Sequence, residues 1–210
     1  MKANQKVAAL VVLLVGMLLL QNAGASIVVP PWRGAPGSTY QEWTFDTGDN
    51  PATPEISNNL EQSVAFIDAT GGFLGFQPGW YPQFLGRPGV WCGAEITLVL
   101  QIPNIPIPNE YKEIWVEMEF RGELMEPIIS PYPGGVVTEL GRNITNTVDG
   151  WRILNIGWKI VPNPFTEEMA LNIHSNASNI NYVSADTICI PEPTIIALLG
   201  LGVMAVIRKR

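Results

Sequence analysis

Histidine occurs once in this 210-residue chain, cysteine twice, and charged residues make up only 15% of it. A single histidine, His174, removes the histidine-rich metal centres, and its Leu171-Asn-Ile-His174 setting reads as a structural strand residue. No GxSxG elbow, HExxH helix or phosphate-binding glycine loop occurs. A glycosidase needs only two carboxylates, but Glu117 and Glu119 lie on a surface strand, and nineteen acidic residues make chance pairs inevitable. The chain therefore reads as a non-enzyme. The low charge excludes an acidic disordered tail and a coiled coil. Basic residues are scarce where they would matter for nucleic acid. Five of the twelve sit at the extreme ends (Lys2, Lys6, Arg208, Lys209, Arg210), leaving seven against nineteen acids in the body. Such a body attracts neither nucleic acid nor anionic lipid.

Long apolar runs are also missing. The two best, Val7–Leu20 and Thr194–Ile207, are fourteen residues each, short of the roughly 20 that a bilayer-spanning helix needs. The first follows Lys2 and Lys6 and precedes Ala23-Gly-Ala25, a small-x-small pattern. Residues 1–25 thus read as a secretory signal helix cut by signal peptidase before Ser26. The second lies between Pro191-Glu192-Pro193 and Arg208-Lys209-Arg210. As a helix it reaches about 21 Å against a hydrocarbon core of about 30 Å, a gap that snorkelling basic side chains can cover. The terminal cations stay cytoplasmic by the positive-inside tendency, which places residues 26–190 outside.

This order of triplet, short Leu/Gly-rich stretch and basic terminus closely resembles the PEP-CTERM sorting signal, over roughly the last twenty residues. The stretch departs from the commonest Leu-richer form at Ile195, Ile196, Met204 and Ile207. The resemblance implies export, transient membrane anchorage, recognition by an exosortase and cleavage near the triplet. Members typically occur in Gram-negative bacteria that make exopolysaccharide and end at the cell surface or in the extracellular matrix. Pro191, Glu192 and Pro193 would be the recognised motif, and Arg208, Lys209 and Arg210 the retention charges.

Between the two addresses, residues 26–39 form a Pro/Gly-rich leader and residues 40–190 a strand-rich body. Apolar/polar alternation predicts strands at Tyr40–Phe45, Gln62–Asp68, Ala94–Ile102, Lys112–Arg121, Val136–Leu140, Trp151–Val161, Met169–His174 and Ile180–Ile190. In the clearest, Ile114, Val116, Met118 and Phe120 face one side, while Glu113, Trp115, Glu117 and Glu119 face a wet one. Many short strands, frequent Pro/Gly turns and no amphipathic helix predict a single all-β antiparallel sandwich. Its last strand loosely resembles the closing strand of carbohydrate-binding jelly rolls, which favours jelly-roll order.

Three candidate sites follow. Cys92 and Cys189 form either one disulfide, in keeping with export, or two buried thiols. Asp46-Thr-Gly-Asp49-Asn offers hard oxygen ligands within a turn, and the jelly-roll resemblance adds Asp186 on the last strand. These three aspartates are the candidate calcium ligands, the alternative being an ordinary Asx-rich turn; no other cofactor is implied. Of seven tryptophans, Trp43, Trp151 and Trp158 read as core. Trp80-Tyr81, placed on a Pro-bounded loop, and Trp115, on the glutamate face, are candidate stacking platforms for extracellular polysaccharide. The expectation is an exported structural or adhesive protein, with a glycan-binding module as the alternative.

Overall fold

The computed structural model describes residues 30–58, 63–72, 74–104 and 109–191. Among them there is no helix. Ten strands form one hydrogen-bonded antiparallel sheet: β1 (Ser38–Trp43), β2 (Ile56–Ser57), β3 (Val64–Thr70), β4 (Gly79–Phe84), β5 (Arg87–Pro103), β6 (Tyr111–Leu124), β7 (Ile128–Tyr132), β8 (Val136–Asn146), β9 (Arg152–Val161) and β10 (Thr166–Ile190). The expected signal helix and C-terminal helix fall on residues outside those described.

The organising strand is β10. Its second half lies in a limb ordered β2-β1-β10-β6-β9-β8. Its first half pairs β5 on one side and β7 on the other, and β3 extends this second limb beyond β5. The limbs meet at a crease. Between the pairs His174↔Glu123 and Asn179↔Arg121, four residues of β10 face the single residue Gly122 of β6. On the opposite flank, Ala94 alone faces residues 175–177. Such bulges bend a strand and increase its twist. Folded at this crease, the sheet closes on itself as an antiparallel sandwich, and residues near the two ends of β10 approach one another. Lys112, cross-strand from Cys189, reaches Glu167, and the Cys189 thiol reaches Asn104.

Alternation decides what the fold buries. Ile114, Val116, Met118 and Phe120 of β6 all lie in the core, as their spacing predicts. Ile96, Leu98, Leu100 and Ile102 of β5 join them, with Leu154, Ile156, Trp158 and Ile160 of β9. The first limb adds Trp43 and Val183, and the second adds Met169, Leu171 and Ile173, so one core takes side chains from both limbs. Trp43 and Trp151 are fully buried and Trp158 nearly so.

β1 pairs antiparallel with β10, the pairing of first strand with last that jelly rolls show. Here, however, β10 is central, flanked by β6 on its other side. The two separate strands expected at Met169–His174 and Ile180–Ile190 are one element, continuous through the crease.

At the crease Gly122 has φ +117°, and a Cβ there would stand 2.6 Å from Ile173 Cγ2. Backbone strain and overpacking then act together. Gly122→Ala is expected to lower stability by about 1–3 kcal/mol, measured as a reduced urea midpoint at unchanged slope.

Candidate functional site

The outer face of the first limb collects the polar and aromatic side chains that alternate with the core residues. On β1, Tyr40 and Glu42 point outward while Thr39, Gln41 and Trp43 are buried. One cross-strand row runs Tyr40, Asp186, Trp115, Gly157. The next runs Glu42, Ser184, Glu117, Asn155. Tyr182 and Glu119 pair in a third row.

The Pro/Gly-rich leader docks on this face. Turn hydrogen bonds from Arg33 N to Pro30 O and Ala35 N to Trp32 O curl it. The Arg33 guanidinium then grips Asp186 with both arms, Nε to Oδ1 and Nη2 to Oδ2 at 2.5 Å each, and stacks 3.9 Å from the centre of the Tyr40 ring. Asp186 is 4% exposed, and its burial raises the carboxyl pKa despite the arginine. Burial also raises Glu42, which accepts the Tyr40 hydroxyl. Burial, reinforced by Glu42 and Glu117, pushes Tyr182 up to about 12. At the crease end, Arg87 Nη2 donates to Glu119 at 3.0 Å, and Asn181 donates to the same carboxylate at 2.9 Å. At the other end, Lys159 stands 3.6 Å over the Tyr111 ring.

Trp115 sits at the centre of this face. Its indole lies against the Gly157 backbone, where a Cβ would come within 2.5 Å of Cε2. The missing side chain at residue 157 lets the ring lie flat on the sheet. Trp115 is half-buried, on the wet side its alternation predicts. Carboxylates that accept hydroxyl hydrogen bonds, set beside aromatic ring faces, suit a polyhydroxylated ligand.

The other aromatic candidates are placed differently. Trp80 and Tyr81 lie on β4, a hairpin strand paired with β5, and not on a loop as expected. The two-residue turn Leu85-Gly86, both at positive φ, makes that hairpin. Gly48 packs on the Trp80 ring, its would-be Cβ 3.1 Å from Cε3, and Trp80 Nε1 donates to Phe45 O at 2.9 Å. The Tyr81 hydroxyl donates to Gln77 O at 2.7 Å, and its ring packs with Phe76 and Phe84. Both rings are therefore packing elements that sequence placement alone misjudged.

The candidate calcium ligands are not brought together. Asp186 is opposite Tyr40 and held by Arg33. Asp46 and Asp49 lie beyond the Trp43 end of β1, where they accept the Thr44 and Thr47 hydroxyls in the Asx-rich turn. Among the described residues, no group of three or more acidic, Cys or His side chains is poised for a metal. Of the two states expected for the cysteines, the structure shows buried thiols and no disulfide. Cys92 lies opposite Asn179 and Cys189 ten residues further along the same strand, which is about 30 Å in extended chain, far beyond disulfide reach. Burial pushes the Cys92 thiol up to about 12 and raises Cys189 as well, so neither is a ready nucleophile.

Of the sorting residues, Pro191 is described and follows β10 directly. Glu192, Pro193 and Arg208–Arg210, like Ala23, Ala25 and Ser26, lie outside the described residues. Arg33, Tyr40, Glu42 and Tyr182 escaped the sequence reading of the site. The alternation of Tyr40 and Glu42 with Thr39, Gln41 and Trp43 was the signal for two of them.

No protein-family model, no curated protein and no solved structure matches the chain.

Proposed function

We propose that the chain is an exported surface or matrix protein with a non-catalytic structural or adhesive role, delivered by an exosortase-type system. One observation carries this reading. The central strand β10 ends at Ile190 and passes without a spacer into Pro191, the first residue of the PEP-CTERM-like signal. A cut near the triplet would therefore fall directly after β10, the last described strand, and leave every described strand in the released chain. Signal peptidase at the front and an exosortase at the back are the processing partners. The test is transfer. Residues 191–210 fused behind an unrelated exported reporter should have the reporter cut near the triplet in an exosortase-bearing host. A reporter that keeps all twenty residues there, as it would in a host lacking the enzyme, sinks the proposal.

A second reading rests on Trp115 lying flat on Gly157 among carboxylates. We infer a binding face for a neutral polysaccharide. Three cations of this face, Arg33, Arg87 and Lys159, are already engaged by Asp186, Glu119 and Tyr111, which leaves them less available to an acidic polymer. A neutral glycan is expected to perturb tryptophan fluorescence on titration, and Trp115→Ala to remove at least half of that signal while melting as the parent does. A response that is intact in the variant rules this face out.

A further inference from the structure

Lys112 and Glu167 meet at the open end of the sandwich, where the limbs face each other. Lys112 lies on β6 in the first limb, between Cys189 and Ile160. Glu167 lies in the second limb, between Ile102 and Pro131. Lys112 Nζ stands 2.5 Å from Glu167 Oε1, and both side chains are 0% exposed. The carboxyl carbon is one bond beyond Oε1, which puts the amine near the roughly 3–3.5 Å separation from which bonds form. The other carboxyl oxygen, Oε2, is buried with no hydrogen-bond partner among the described residues. A lasting ion pair is held in a dry core only when its remaining lone pairs are satisfied.

We propose that Lys112 and Glu167 join spontaneously into an intramolecular isopeptide bond that ties the two limbs of the sandwich together. The balance is simple. The ammonium passes one proton to the carboxylate, giving a neutral amine and a carboxylic acid. Nζ then attacks Cδ, the Nζ–Cδ bond forms and one Cδ–O bond breaks. The departing oxygen leaves with two protons as water. Nothing is oxidised or reduced, and no co-reactant is needed.

The site favours each stage. Burial raises the Glu167 pKa, with Lys112 opposing it, and so favours the protonated acid that supplies the leaving oxygen. The core holds both groups at reacting distance, where effective molarities reach about 10⁵–10⁸ M. The product removes two charges from an apolar interior and exports an unsatisfied oxygen as water. It would also give the sandwich the covalent tie that its separated cysteines do not provide.

Peptide mapping of the full chain, denatured and cut with trypsin, tests this without reference to sorting or glycans. The expected result is a branched peptide, uncut after Lys112, joined to the segment containing Glu167 and lighter than the two parts by one water. Lys112→Arg should yield only linear peptides. Wild-type chain cleaved cleanly after Lys112, with a separate linear Glu167 peptide, overturns the proposal. A branch to Asn104 instead, lighter by one ammonia, overturns the assignment to Glu167.

Discussion

Lys112→Ala is expected to lower the stability of the sandwich by about 3–5 kcal/mol, because it strands Glu167 as a lone buried carboxyl whether the parent holds the pair as ions or as the proposed amide. That is a large share of the roughly 5–15 kcal/mol by which domains are stable. The size follows from position. Glu167 has no exposed surface and one unpartnered oxygen already, so loss of the lysine leaves its carboxyl without compensation. The deficit should depend on pH. Without Lys112, which lowers it, the folded-state pKa of Glu167 rises further above its unfolded value. Between those two values the folded state binds the extra proton, so the variant loses stability as pH rises through that window. The deficit is therefore smallest in acid and fully developed above the raised pKa. Urea midpoints at acid and neutral pH measure it. A variant within 1 kcal/mol of the parent at neutral pH would mean the core tolerates a lone carboxyl there, contrary to its complete burial.

Replacing Pro191-Glu192-Pro193 by three alanines is expected to abolish C-terminal processing while leaving the fold untouched. β10 closes at Ile190, with Glu110 N donating to Ile190 O and Cys189 N to Gly37 O, so the last ladder contacts among the described residues lie before Pro191. The precursor should accumulate in the cytoplasmic membrane, longer than the mature chain by the uncut tail. Its melting temperature should match the parent. A variant that reaches the surface at mature length would remove the triplet from any sorting role.

How much of this could be read from residues alone varies along the chain. The apolar face of β6 was legible because three glutamates and a tryptophan alternate with four apolar residues. The wet face was only partly so: β6 lies between β10 and β9, and Glu117 is buried there while Glu113, Trp115 and Glu119 are half-buried. β4 was not legible, because Pro78-Gly79 and Pro82 around Trp80-Tyr81 read as loop chemistry. The hairpin instead exploits Leu85-Gly86 at positive φ. β7, at Ile128–Tyr132, alternates too briefly and carries Pro131. Polar residues from Ser175 to Asn179 looked like a break between two strands. They form the crease, where Ser178 and Asn179 are buried and the Ser178 hydroxyl donates to Ala94 O.

For the candidate site, Trp115 and the glutamates were legible through period two. The docking of Arg33 on Asp186, 153 residues away, was not, since no local pattern encodes a contact of that separation. The same limit left both alternatives open at Cys92, Cys189 and the three aspartates. Residue type suggested the chemistry there, but only the register of β10 fixes how far apart they stand.

The most direct measurement is the mass of the C-terminal peptide of the protein recovered from the outside of its native host. An exported, sorted sandwich predicts a chain that ends close to Pro191–Pro193, a few residues past β10, the last described strand. A chain recovered from the cytosol and still ending at Arg210 would contradict it.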